Sequence, residues 1–150
     1  MLLSLGFFII LIAFLVAKLE IQIEGPNGWA AQLPTWRFSN KITSFILSGA
    51  YQPLTGYHLY LGLFVLLIFH FPFFVAVPWT PSFELLMLSA FFFFWLAEDF
   101  LWFVFNPHYG MARFRPGEIP WHRRWLWRFP FSYYRFFLVA LLLYELSTLV

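Results

Sequence analysis

The sequence predicts an all-α protein: an integral membrane four-helix bundle with interfacial loops on the cytoplasmic face. Three observations carry this. Of the 150 residues, 62% are hydrophobic and only 11% charged, whereas a soluble domain carries roughly 25% charged residues. A chain this size and this apolar needs lipid to cover its surface. Four long apolar runs are separated by segments rich in proline, glycine and charge. Finally, Lys18, Arg37, Lys41, Arg113, Arg115, Arg123, Arg124 and Arg128 all fall in two loops, 18–56 and 106–130, and Arg135 lies in the turns just after the second. The length suits one transmembrane domain and no second one.

Residues 2–17 form the first span. At about 1.5 Å per residue they nearly cross a hydrocarbon core of about 30 Å. No Lys or Arg precedes the run, and Val16-Ala17-Lys18 is followed by Leu19 and Glu20. A retained helix is therefore expected rather than a cleaved signal peptide. Leu19 to Glu24 alternates apolar and polar residues, as a short strand or a fraying helix end would. Gly25-Pro26-Asn27-Gly28 is a turn signal. Trp29, Trp36, Phe38 and Phe45 are expected at the membrane surface.

The second span covers 57–77, with His58 at its start and His70 inside. A turn at 78–82 leads to the third span, 83–105, which starts with Glu84 and carries Glu98 and Asp99. Asn106-Pro107 ends it, because a residue before proline is pushed out of helical geometry. The fourth span, 131–150, follows Pro130 and carries Glu145. With four spans, both basic loops lie on one side. Positive residues near span ends mark the cytoplasm, so both termini are expected outside, in a plasma or inner membrane.

Trp121 to Arg128 alternates tryptophan and arginine. As a helix it would place Trp121 and Trp125 on one face and Arg124 and Arg128 on another. Trp121, Trp125, Arg123, Arg124 and Arg128 are expected to bind lipid headgroups, as an anchor or as the site of a lipid phosphate. Nucleic acid is not an expected partner, since the tryptophans would be wasted in solution.

Glu98 and Asp99 lie about 10 Å inside the cytoplasmic end of their span. Carboxylates at such depth need a partner, a proton or a water-filled cavity. Glu20, Glu24, His58, His108 and His122 are the candidate partners on that side. The plain expectation is a salt-bridged or hydrogen-bonded network, with Lys18, Arg37, Arg113 or Arg115 reaching in. The sharper one is a site with Glu98, Asp99 and His58 as catalytic groups. Its metal form is a divalent zinc, iron or manganese ion on His58, Glu98, His108 and His122. Neither HExxH nor ExxH occurs. Cysteine is absent, which excludes disulfides, thiolate catalysis and thiolate-bound metals. On the other side, His70 and Glu145 match in depth and are expected to pair.

The functional expectation is a small membrane enzyme acting on a lipophilic substrate at the cytoplasmic leaflet. The alternatives are an accessory subunit or lipid-binding scaffold with a protein partner or second copy, and a proton-coupled transporter. Topology is directly testable. Reporters fused at position 150 and within 38–48 should report opposite sides of the membrane; the same side for both refutes four spans.

Overall fold

The computed structural model describes residues 2–40 and 52–150. Lys41 and Phe45 lie outside the described residues. The chain is mostly helical: α1 (Leu2–Glu24), α2 (Gly56–Val75), α3 (Pro81–Phe105) and α4 (Phe131–Leu149). Two short antiparallel pairs accompany them, β1 (Arg37–Phe38) with β2 (Leu54–Thr55) and β3 (Trp125–Leu126) with β4 (Phe129–Pro130).

α1 runs well past the expected end of the first span. Its buried face, Ile9, Ala13, Val16, Ala17, Glu20, Ile21 and Glu24, recurs at three- and four-residue steps. That stripe is helical, and packing on α3 settles the local strand-like alternation in favour of helix. Gly25, at φ +65°, supplies the left-handed residue that ends the helix, and Pro26 prevents its resumption. α2, α3 and α4 coincide with the other expected helical runs to within a turn. Thr55 and Thr80 cap α2 and α3, their hydroxyl oxygens accepting from the amides of His58 (3.2 Å) and Phe83 (3.1 Å). Proline opens α3 at its first position, where no amide is needed.

α3 is the central helix, with α1, α2 and α4 packed on it. The directions alternate along the chain. Ser82 Oγ donates to the Ser147 carbonyl at 2.5 Å, joining the start of α3 to the end of α4, and Ser89 Oγ donates to Ala140 at 2.7 Å. The upper core packs Ile9 and Ala13 against Val65, Phe69, Ala90 and Phe94. The lower core packs Ala17 and Ile21 against Trp102, Phe103, Ile119 and Trp121. The described parts of the two loop regions, 25–40 with 52–55 and 106–130, therefore share one end of the bundle.

The Trp/Arg segment is not a helix. Trp125 pairs with Pro130 and Leu126 with Phe129 in a hairpin whose turn holds Trp127 at φ 59°. Pro120 and Pro130 bracket too short a stretch for a stable helix, and burial of Trp121 in the core sets the direction of the chain. The Tyr134 hydroxyl fastens the hairpin to α4 by donating to the Leu126 carbonyl at 2.9 Å.

Three helices are long and apolar enough to cross a membrane: Leu2–Asn27, Gly56–Val75 and Pro81–Phe105. α4 carries Arg135, Glu145 and three tyrosines and is not among them.

Gly28 sits under the indole of Trp121. A Cβ there would stand 2.6 Å from Trp121 Cη2 and 3.1 Å from Trp102 Cη2, on a backbone at φ +61°. Gly25 has the same handedness but open space around it. Gly28→Ala should thus lower the unfolding midpoint in detergent clearly more than Gly25→Ala, which should cost only about 1 kcal/mol. Equal effects would show that the loop is not clamped by the indoles.

Candidate functional site

At the end of the bundle that carries the loops, a cavity of about 410 Å³ lies between all four helices. Its walls are aromatic, including Trp29, Phe92, Trp95, Trp102, Trp121 and Phe136. Its polar groups are Glu20 and Glu24 from α1, His58 from α2, Glu98 and Asp99 from α3, His122 from the loop, and Ser132 and Tyr133 from α4. Glu20, Glu24, Glu98 and His122 are all buried.

One side of the cavity is built on the one-turn spacing of Glu20 and Glu24. These face His58, which the Thr55 cap places in the first turn of α2. Glu24 Oε1 lies 3.4 Å from His58 Nε2 and accepts the Ala30 amide at 2.5 Å. The other ring nitrogen, Nδ1, lies 2.7 Å from Thr55 Oγ1. The indole of Trp29 stacks on the imidazole, with ring centroids 4.4 Å apart. Trp29 and Ala30 both hold left-handed backbone, φ 49° and 50°. Each costs on the order of 1–3 kcal/mol, a local strain concentrated beside the buried acids. Glu98 reaches the same side, where its carboxyl adjoins that of Glu20. Its Oε1 is buried, and among the described residues it has no donor outside that carboxyl.

The other side is a chain of hydrogen bonds. Asp99 Oδ2 accepts from the Tyr133 hydroxyl at 2.5 Å and lies 3.1 Å from His122 Nε2. In the tautomer that donates from Nε2 to Asp99, Nδ1 keeps a lone pair. That nitrogen faces Ser132 Oγ at 3.5 Å. The Trp125 indole donates to the His122 carbonyl at 2.7 Å and fixes the loop that delivers the ring.

The structure thus brings Glu98, Asp99, His58 and His122 to one cavity but pairs them differently from expectation. Glu98 points inward, next to Glu20 and not to a histidine. His108 is outside the cavity and exposed. The Asn106 side chain accepts its amide at 2.9 Å, and the turn at 106–110 carries it outward, which removes it from the expected metal set. The basic groups considered as partners are engaged elsewhere. Lys18 lies over the Phe105 ring, Arg113 over Tyr109, Arg37 donates to the Ala30 carbonyl and Arg115 pairs with Glu118.

Two further expectations are corrected. His70 pairs with Glu84 at 2.9 Å, not with Glu145, which is exposed on α4. The short turn between α2 and α3 holds the first turn of α3 beside His70, whereas α4 packs on α3. Of the residues expected at lipid headgroups, Arg123, Arg124 and Arg128 are exposed, Trp125 is half-buried, and Trp121 is core. Trp127, 89% exposed at the hairpin turn, holds the outer position instead.

No protein-family model matches the chain, and neither the curated proteins nor the solved structures compared with it give a match.

Sequence reasoning missed Ser132, Tyr133, Trp29 and Thr55. Only Thr55 had a local signal, as a threonine preceding an apolar run. Asp99 holds His122 and Tyr133 through one oxygen, so the two contacts should be coupled. A double-mutant cycle of His122→Ala and Tyr133→Phe, read by unfolding free energy in detergent, should give an interaction of about 0.5–3 kcal/mol. Additive effects would mean that the two groups do not share Asp99.

Proposed function

We propose that the protein is a small integral membrane enzyme acting on a lipophilic substrate at the cytoplasmic leaflet, with chemistry at an ester bond. The observation that carries this is the alignment of Asp99, His122 and Ser132 along one wall of an aromatic cavity. A hydroxyl facing an imidazole that a carboxylate orients is the arrangement of activated oxygen nucleophiles. The separation of 3.5 Å is loose, as it often is without substrate.

In this reading Ser132 Oγ attacks the ester carbonyl and passes its proton to His122 Nδ1. The C–O bond to the leaving alcohol breaks, and the imidazolium returns the proton to that alcohol. Water then enters by the same base catalysis, releasing the acid and restoring Ser132. Asp99 acts through His122, holding its tautomer and its positive charge in the intermediate. Tyr133 fixes Asp99 in turn. The aromatic walls suit an apolar tail, and the clustering of Lys and Arg at this end favours placing the site at the cytoplasmic leaflet.

The test is labelling with a fluorophosphonate probe, which reacts with base-activated serines. The label should map to Ser132 and disappear in Ser132→Ala. In His122→Ala and Asp99→Asn it should fall by about 10³-fold or more. His108→Ala, altered outside the cavity, should label normally. No labelling of the native protein in bilayers sinks the esterase reading. Absence of labelling together with a stoichiometric co-purifying protein would favour the accessory-subunit reading instead.

A further inference from the structure

We propose that Glu20, Glu24, His58 and Glu98 bind one divalent transition-metal ion of the zinc, iron or manganese class. One ligand atom from each of Glu20, Glu24 and His58 falls within 4.8 Å of the others. Ligands about 2.0–2.2 Å from a tetrahedral metal stand about 3.4 Å apart. Glu24 Oε1 and His58 Nε2 are 3.4 Å apart, a separation long for a hydrogen bond and right for two ligands of one ion.

The surroundings are those a ligating histidine requires. Thr55 Oγ1, 2.7 Å from Nδ1, fixes the ring and leaves Nε2 directed at the carboxylates. Trp29 stacks on the ring face. The Ala30 amide orients Glu24 by donating to Oε1.

A separate observation points to a cation. Glu98 is 3% exposed, lines the same cavity and abuts Glu20, and among the described residues its Oε1 finds no donor outside the Glu20 carboxyl that it adjoins. Two buried carboxyls in contact are costly unless a proton or a cation lies between them. A bound cation satisfies that oxygen and relieves the crowding of three carboxyls. The donor set is three carboxylates and one imidazole, with no sulfur, which suits manganese, iron(II) or zinc and disfavours copper(I). The ion does not depend on the esterase reading, because Ser132 and His122 are not among its ligands.

The test uses the full-length chain without a polyhistidine tag, purified in detergent, treated with chelator, and titrated with Zn²⁺, Mn²⁺ and Fe²⁺ separately. We expect one ion per chain by elemental analysis after desalting, with a rise in unfolding temperature that chelator reverses. His58→Ala and Glu98→Gln should lose the ion while keeping their helical circular dichroism. Thr55→Ala should weaken binding by roughly 10–100-fold. Ser132→Ala and His122→Ala should bind as the native protein does, so a native protein that holds the metal but takes no probe label refutes only the esterase. Should a ligand variant fail to fold, the native protein's thermal shift decides. The proposal is overturned if none of the three ions is retained or stabilises the native protein, or if folded His58→Ala binds undiminished.

Discussion

The loop end of this bundle is organised around four acidic side chains that sit on long apolar helices and must be kept from an apolar surrounding. An ionised carboxylate at the bilayer centre costs about 2.5–3.5 kcal/mol even on insertion scales. α1 carries two acids and α3 two more in their last turns, next to apolar faces that need burial. Turning all four inward places them in one cavity between the helices. The aromatic side chains then close the space around them, because Trp29, Trp102 and Trp121 combine large apolar faces with a ring N–H. Trp29 illustrates the dual use, stacking on His58 while its ring nitrogen donates to the Pro53 carbonyl at 3.1 Å.

The loops are as much a part of the core as the helices. Gly28 lets the 25–30 segment pass beneath Trp121, and Trp121 in turn packs on Trp102 and Phe103. Trp29 and Ala30 accept left-handed backbone so that the Ala30 amide meets Glu24. This contact turns the end of α1 from a fraying terminus into a wall of the cavity. The hairpin of β3 and β4 performs the matching task on the other side, delivering His122 to Asp99 and then turning the chain into α4, where Ser132 and Tyr133 follow at once.

Much of the helical frame was legible in the sequence because apolar runs and their proline and threonine boundaries are local signals. The inward turn of Glu98 was legible too, since the cost of the alternative is large. The extension of α1 was left open between a short strand and a fraying helix end, because a strand-like alternation over six residues competed with the helical stripe from Ala13 to Glu24. The partners were beyond reach. Nothing local says that Glu98 meets Glu20 rather than a histidine, or that Tyr133 bonds Asp99, because these pairings depend on rotation of one helix against another. The Trp/Arg segment misled for a related reason. Its spacing fits a helix, but prolines at both ends and the pull of the core on Trp121 make it a hairpin.

The two ends of the bundle use the same residue types and come to different results, and the difference lies in how fully each carboxylate is satisfied. Glu84 gives one oxygen to His70 at 2.9 Å and the other to the Trp79 indole at 3.1 Å. The second nitrogen of His70 meets the Leu66 carbonyl at 2.7 Å. Every polar atom of that set is used within the chain, so it serves as a latch between α2 and α3 and leaves nothing over for a ligand. At the loop end, the accounting stays open. Glu98 keeps a buried oxygen with no donor among the described residues outside the Glu20 carboxyl, and His122 presents a ring nitrogen to a serine at the long limit of a hydrogen bond. Adjacent residues on a helix diverge by about 100°, so Glu98 and Asp99 carry these two openings to opposite sides of one cavity. Both face a space of about 410 Å³, and that juxtaposition is what the proposed chemistry rests on.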